Sequence, residues 1–249
     1  MREPSAGATI SDEQRASLAA RMRSVAHDAR TFIDAWAVES AGRAPTPFAW
    51  RPANARRVIG AAALRRRAHR GAAVTDAVRE EVDELLVRCA AGYARPGSLA
   101  HWLGSQRSAV VALVSAEAIT WATTALEALE PTRLEFAVTT SDAFYDVAGA
   151  RTTLKGRRDA VLVEGAERVV VRLRGGQPGR SAGPGLRADL VIDALASPVG
   201  LAARRIVGVW PDAGVALSVD GTPDDVAAGA RDLVRAAVVR RRHAAQLAV

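Results

Sequence analysis

The sequence is short of the residues that staple or metallate a small fold. Cys89 is its one cysteine, which excludes an internal disulfide framework and a cysteine-based zinc site. The four histidines, His27, His69, His101 and His243, show no ligand spacing. Aromatic residues make up 4% of the chain, and the tryptophans fall mostly on apolar faces, so no stacking platform for single-stranded nucleic acid is evident. No apolar run approaches the roughly 20 residues that span a bilayer. The opening segment MREPSAGATISDEQ lacks the apolar stretch of a secretory signal. No membrane partner is expected, and the cytoplasm is the expected compartment. Phosphate-loop signatures are missing too: neither G-x-x-x-x-G-K-[ST] nor a G-x-G-x-x-G after a strand occurs.

What the chain has in quantity is arginine. Lys155 is the only lysine among 34 basic residues, and the formal net charge is +7. Such an excess raises the expectation of a polyanionic partner, and the planar guanidinium grips phosphate well. A hydrophobic fraction of 49% belongs to a packed globule, not a disordered chain.

Residues 1–10 are expected to form a disordered lead. Ser11 and Gln14 have the spacing of a capping box. Behind them Leu18, Met22, Val25, Ala29, Phe32 and Trp36 step by four and three into one apolar stripe. That predicts a single long helix to about Ala41-Gly42, either a core-facing helix or a coiled-coil seam that docks a protein partner through residues 11–41. Pro45, Pro47 and Pro52 stiffen the next connection. Helices capped by Asn54 and Thr75 follow, then a short turn after Ser98 and a very apolar helix over Ser108–Leu129.

At Pro131 the period changes. Segments 134–138, 150–156, 157–163 and 167–173 are β-rich, and Glu164-Gly165-Ala166 is placed to turn the last two into a hairpin. A glycine loop (175–185), a helix near 186–195, strands at 204–210 and 215–219, and a helix capped by Thr222 complete the chain. The expected fold class is α+β. A helical region (11–130) packs on a mixed, mostly antiparallel sheet flanked by helices (131–249), as one continuous unit.

Two short motifs sit inside this order. Gly156-Arg157-Arg158-Asp159 leads one strand, and Val170-Val171-Arg172-Leu173-Arg174-Gly175 ends the next. Together with the flanking helices they resemble the RecB-like branch of the PD-(D/E)XK nucleases, over residues 108–245. In that family a G-x-x-D strand pairs with a strand ending in (D/E)-x-K and a glycine turn. The resemblance implies a restriction-endonuclease-like core and a role in DNA processing or repair. It also implies a divalent cation, magnesium or manganese, clamped between carboxylates.

The chain departs from the pattern where chemistry needs it. Arg172 stands at the acid position and Arg174 at the lysine position. A fixed guanidinium charge beside a cation costs about 4 kcal/mol per unit charge at 4 Å with an effective dielectric of 20. The expectation is therefore a degenerate nuclease fold, without a cofactor, whose Arg157, Arg158, Arg172, Arg174 and Arg180 contact nucleic acid. The enzymatic alternative rebuilds a metal site from Asp159 and Glu117, with Asp142 or Asp146 as a further acid. Lys155 would then stand beside Asp159, if strand alternation continues through 155, 157 and 159. A third alternative is a protein-interaction module docking through the first helix. Gly179-Arg180-Ser181-Ala182-Gly183 matches the G-x-S-x-G of a nucleophile elbow, but Pro178 and Pro184 bracket it in a loop where that motif needs a strand feeding the serine.

Overall fold

The computed structural model describes residues 8–25, 30–40, 48–70, 72–129, 135–137, 142–164, 167–198 and 201–247. Ala29, Pro45, Pro47, Gly165 and Ala166 lie outside the described residues, as does most of the expected lead. The end of that lead is packed: Ala8 and Ile10 are buried, and the Ala8 N–H donates to the Ala203 carbonyl.

The capping box forms as the spacing predicts. Ser11 Oγ accepts from Gln14 N, and Gln14 Oε1 accepts from Ser11 N, opening α1 (Asp12–Ser24). The long first helix does not form. After α1 the chain runs into a strand, β1 (Thr31–Asp34), and a five-residue helix, α2 (Ala35–Glu39), capped by the Asp34 carboxylate. Leu18, Met22 and Val25 are buried as the stripe demands, whereas Phe32 and Trp36 face solvent. A strand displays its residues with period two, so the apparent helical stripe breaks where the backbone extends.

Four helices follow: α3 (Pro52–Arg70), α4 (Val74–Ala90), α5 (Leu99–Gly104) and α6 (Ser108–Leu129). Val114, Ala118, Trp121, Ala122, Ala125 and Leu129 form the buried side of α6, at helical spacing. Contrary to the sequence expectation, α6 is long and apolar enough by length and composition to cross a membrane. Here its buried side packs on α3 and on the sheet.

The remaining elements are β2 (Glu135–Ala137), β3 (Ala143–Asp146), β4 (Thr152–Gly156), β5 (Ala160–Glu164), β6 (Glu167–Leu173), α7 (Ala182–Ala196), β7 (Arg205–Trp210), β8 (Val215–Asp220) and α8 (Pro223–Leu247). The class is α+β, with two mixed sheets. The larger has the order β2-β5-β6-β7-β8, and the smaller has the order β1-β4-β3. β5 and β6 are the expected antiparallel hairpin, with Glu164 opposite Glu167. β6 and β7 are parallel, joined across the sheet by α7.

Both faces of the large sheet are covered, so its strands carry apolar residues on each side. Val169, Val171, Leu162, Val207 and Val209 meet α3 and α6, while Val161, Val170 and Ile206 meet α7 and its neighbours. Leu186, Leu190 and Ile192 of α7 are fully buried, each contributing about 1.5–3 kcal/mol by removal from water. Helix α8 packs close on α7 because Gly229 has no side chain; a Cβ there would lie 2.5 Å from the Arg187 carbonyl oxygen. The small sheet pairs β1, from the N-terminal part, in parallel with β4. The supposed boundary near 131 therefore does not separate helices from strands.

Candidate functional site

Alternation along β6 decides where its arginines go. Val169, Val171 and Leu173 point towards α3 and α6, so Val170, Arg172 and Arg174 point towards α7. Helix α7 presents Asp189 and Asp193, one turn apart, to that same face, and both are buried. Buried carboxylates are tolerated only when paired and hydrogen-bonded. Arg172 of β6 and Arg174 just past its end partner Asp189, and Arg158, ahead of β5, partners Asp193.

Arg172 Nη1 donates to Asp189 Oδ1 at 3.0 Å, and Arg174 Nη2 donates to Asp189 Oδ2 at 2.9 Å. Arg172 Nη1 also donates to the Arg157 carbonyl. Arg174 Nη2 lies 2.9 Å from Glu39 Oε1 at the end of α2. Glu39 fits there because Gly185 has no side chain; a Cβ would fall 2.0 Å from its carboxylate oxygen. Further along α7, Asp193 accepts from Arg158 Nε at 2.7 Å and from Ala203 N at 2.8 Å. Ser197 Oγ accepts from Arg158 Nη2 at 3.0 Å. The result is a lattice of alternating charge between one helix and one sheet face.

Asp159 stands at the entrance to β5, and only 2% of it is exposed. Its Oδ2 accepts from Leu173 N at 2.9 Å, and Arg172 Nε lies 3.8 Å from the same oxygen. Arg157 Nε lies 2.7 Å from Oδ1, an ion pair outside hydrogen-bonding alignment. Arg65 of α3 lines a small hollow together with Asp159, Leu129 and Leu173, and makes no ion pair among the described residues. Burial pushes its guanidinium below its ordinary pKa, a shift that Asp159 opposes and Arg157 reinforces. Burial pushes Asp189 above the ordinary aspartate range, against the pull first of Arg172 and then of Arg174. Glu39 is raised by burial in the same way, against Arg174.

The residues of the enzymatic alternative do not assemble. Strand β4 stops at Gly156 and belongs to the small sheet, while β5 begins at Ala160 in the large one. The chain turns between them, so Lys155 does not share a strand face with Asp159. Lys155 pairs instead with Asp142 at 2.9 Å. Glu117 is held by Arg56 at 3.1 Å, and Arg56 also reaches Asp212 at 2.9 Å. These three line a hollow of about 350 Å³ with Trp121 and Thr124. Leu129 borders the Asp159 hollow and lies about 18 Å along α6 from Glu117. Among the described residues no group of three or more His, Cys, Asp or Glu side chains is placed to hold a metal ion. At Asp159 itself two guanidinium groups and a backbone N–H already approach the carboxylate. These residues do not fit a divalent cation.

Of the arginines expected to meet nucleic acid, Arg158, Arg172 and Arg174 are turned inward onto α7 carboxylates. Arg157 and Arg180 remain exposed. Sequence reasoning missed Asp189, Asp193 and Glu39. For the two aspartates the signal was present: carboxylates at i and i+4 inside the otherwise apolar ADLVIDALA demand buried cations.

A scan of protein-family models matches none to this chain, and no curated protein matches it. A solved structure titled "Crystal structure of SSO0001" aligns with 94% of this chain and 85% of that one, at 13% identity and a TM-score of 0.33.

Proposed function

We propose that this chain is a catalytically degenerate relative of the RecB-like nucleases, one that contacts nucleic acid as an accessory in DNA processing or repair. The observation that carries the reading is the fate of β6. The positions at which the family's acid and lysine would stand hold Arg172 and Arg174, and both guanidinium groups are locked onto Asp189. The order of elements within the large sheet supports the resemblance: an apolar helix, β2, then, after β3 and β4 of the small sheet, β5 directly behind Asp159, its hairpin partner β6, α7 and the parallel strand β7. On this reading, positions that in the family carry a metal-binding acid and a lysine carry here two guanidinium groups that hold a helix to a sheet.

On this reading the phosphate contacts are made by the exposed Arg157, beside Asp159, and by the exposed Arg180, in the loop ahead of α7, with Arg172 and Arg174 structural. Fluorescence anisotropy with labelled DNA and RNA, across a series of salt concentrations, tests it. Affinity should fall steeply with salt, and Arg157→Ala/Arg180→Ala should flatten the slope by about 0.7–0.9 for each phosphate no longer neutralised. Magnesium- or manganese-dependent cleavage that disappears in Asp159→Ala would sink the degenerate reading in favour of an active enzyme.

A further inference from the structure

The small sheet has a solvent face that the sequence did not advertise. Its inner face, with Ile33 and Leu154, packs on the main core. On the outer face Phe32 lies opposite Thr153, and Phe144 lies opposite Lys155. Thr153 and Lys155 are two apart on the central strand, so both rings project from the same side. Phe32 is 48% exposed and Phe144 is 54% exposed. Strand spacing puts their Cα atoms about 12 Å apart, far enough to engage different bases.

Each ring has a cation beside it. Arg30 Cζ is 5.8 Å from the Phe32 ring centroid, and Lys155 Nζ is 5.5 Å from that of Phe144. These are long cation–π contacts, from which either cation can swing aside. Arg30 pairs with Asp146 and also donates from Nε to Thr153 Oγ1, which is buried between the two rings, and Lys155 pairs with Asp142; exposed ion pairs of this kind are themselves weak. At the edge of β1, Arg240 Nη1 donates to the Phe32 carbonyl, bringing the C-terminal part of α8 to the rim of this face. Arg241 and Arg242 follow it, both exposed. Arg30 and Lys155 therefore stand on this face and Arg240 at its edge, with Arg241 and Arg242 next along α8, against the carboxylates of Asp142 and Asp146. The third nearby acid, Asp34, is spent capping α2.

We propose that the outer face of the β1-β4-β3 sheet binds single-stranded nucleic acid, with bases stacked on Phe32 and Phe144 and phosphates drawn to the Arg240–Arg242 rim. Every base offers a π-face to an exposed ring, and a flexible single strand can thread between rings and cations where a stacked duplex cannot. The excess of positive charge selects a polyanion over a neutral protein surface. The inference rests on the reading that the chain contacts nucleic acid, and it moves the principal contact away from Arg157 and Arg180.

The test is anisotropy of the full chain with labelled oligo-dT and oligo-rU of about 12 nucleotides, against a duplex of equal length. Phe32→Ala/Phe144→Ala should weaken single-strand binding at least about tenfold. Since both rings are exposed, its thermal midpoint should stay near that of the wild type. Phe32→Trp/Phe144→Trp should retain binding, and Arg241→Ala/Arg242→Ala should lower the salt slope by about 0.7 for each phosphate no longer neutralised. Unchanged single-strand affinity in the Phe32→Ala/Phe144→Ala variant would overturn the platform. If affinity were at the same time abolished in Arg157→Ala/Arg180→Ala, the nuclease-fold reading would survive alone. A wild-type chain that binds no polynucleotide at low salt would overturn both. A self-associated chain that dissociates in the Phe32→Ala/Phe144→Ala variant, with no oligonucleotide bound, would make this face a protein interface and overturn the platform.

Discussion

The two sheets of this molecule use the same kinds of charged residue to opposite ends. In the large sheet Arg172 and Arg174 are buried against Asp189, with almost no solvent access on either side of the pair. In the small sheet Arg30 and Asp146 make an equally short contact, 2.8 Å, with side chains 62% and 71% exposed. The distances alone would rank the two alike. Burial separates them: charges removed from water depend on one another completely, while charges in water exchange partners freely. The first arrangement fixes a helix in place. The second leaves a face open to a ligand.

The sharpest way to break this contrast is to remove one member from each side. Asp189→Ala leaves two inward-facing guanidinium groups short of a partner, and should cost about 3–5 kcal/mol in urea unfolding. Replacing Arg172 and Asp189 together, as Arg172→Met/Asp189→Leu, should recover part of that loss, because an apolar pair of similar volume also fills the site while Arg174 keeps Glu39 as its partner. Were Asp189→Ala nearly neutral, the lattice would not be structural, and Arg172 and Arg174 would be available to a ligand after all. Arg30→Ala is the matching cut in the small sheet. It should change stability by no more than about 1 kcal/mol, and any larger loss would mean that the outer face is held more rigidly than its exposure implies.

How much of this was visible in the sequence depends on how local the deciding interaction is. The α1 capping box, the β5–β6 hairpin and the Thr222 start of α8 were legible because partners within a few residues determine them. Strand β1 was not. Thr31–Asp34 continues a four-three apolar stripe, and it becomes a strand by pairing with β4, more than a hundred residues away. Tertiary pairing overrode the local pattern there. The same limit hid the stacking face, since Phe32 and Phe144 meet on one surface only once β4 lies between them. For the candidate site, the positions of Asp159, Arg172 and Arg174 were readable. The inward turn of the arginines was not, because alternation assigns residues to faces without saying which face receives α7. Only the pair Asp189 and Asp193 could have announced it.

The finest test of the contrast is titration, because the two sheets should shift the same side chain in opposite directions. Burial raises Asp189 and Glu39 above the ordinary carboxylate range. The exposed Asp146 is lowered, first by the Thr153 hydroxyl bond at 2.5 Å and then by Arg30. For a raised acid the folded state holds more protons than the unfolded one, so stability is fully present below the unfolded pKa and is lost as pH rises through the folded value. For Asp146 the sign reverses: stability is present above the unfolded pKa and is lost as pH falls through the depressed value. Carboxyl carbon shifts followed by NMR should therefore place Asp146 below, and Asp189 and Glu39 above, the range of ordinary surface carboxylates. Asp189→Asn should also remove part of the stability loss on the high-pH side while leaving the Asp146 limb untouched. If Asp189 instead titrated below the ordinary range, Arg172 and Arg174 would outweigh its burial. The lattice would then favour the ionised carboxylate at every pH where the fold persists.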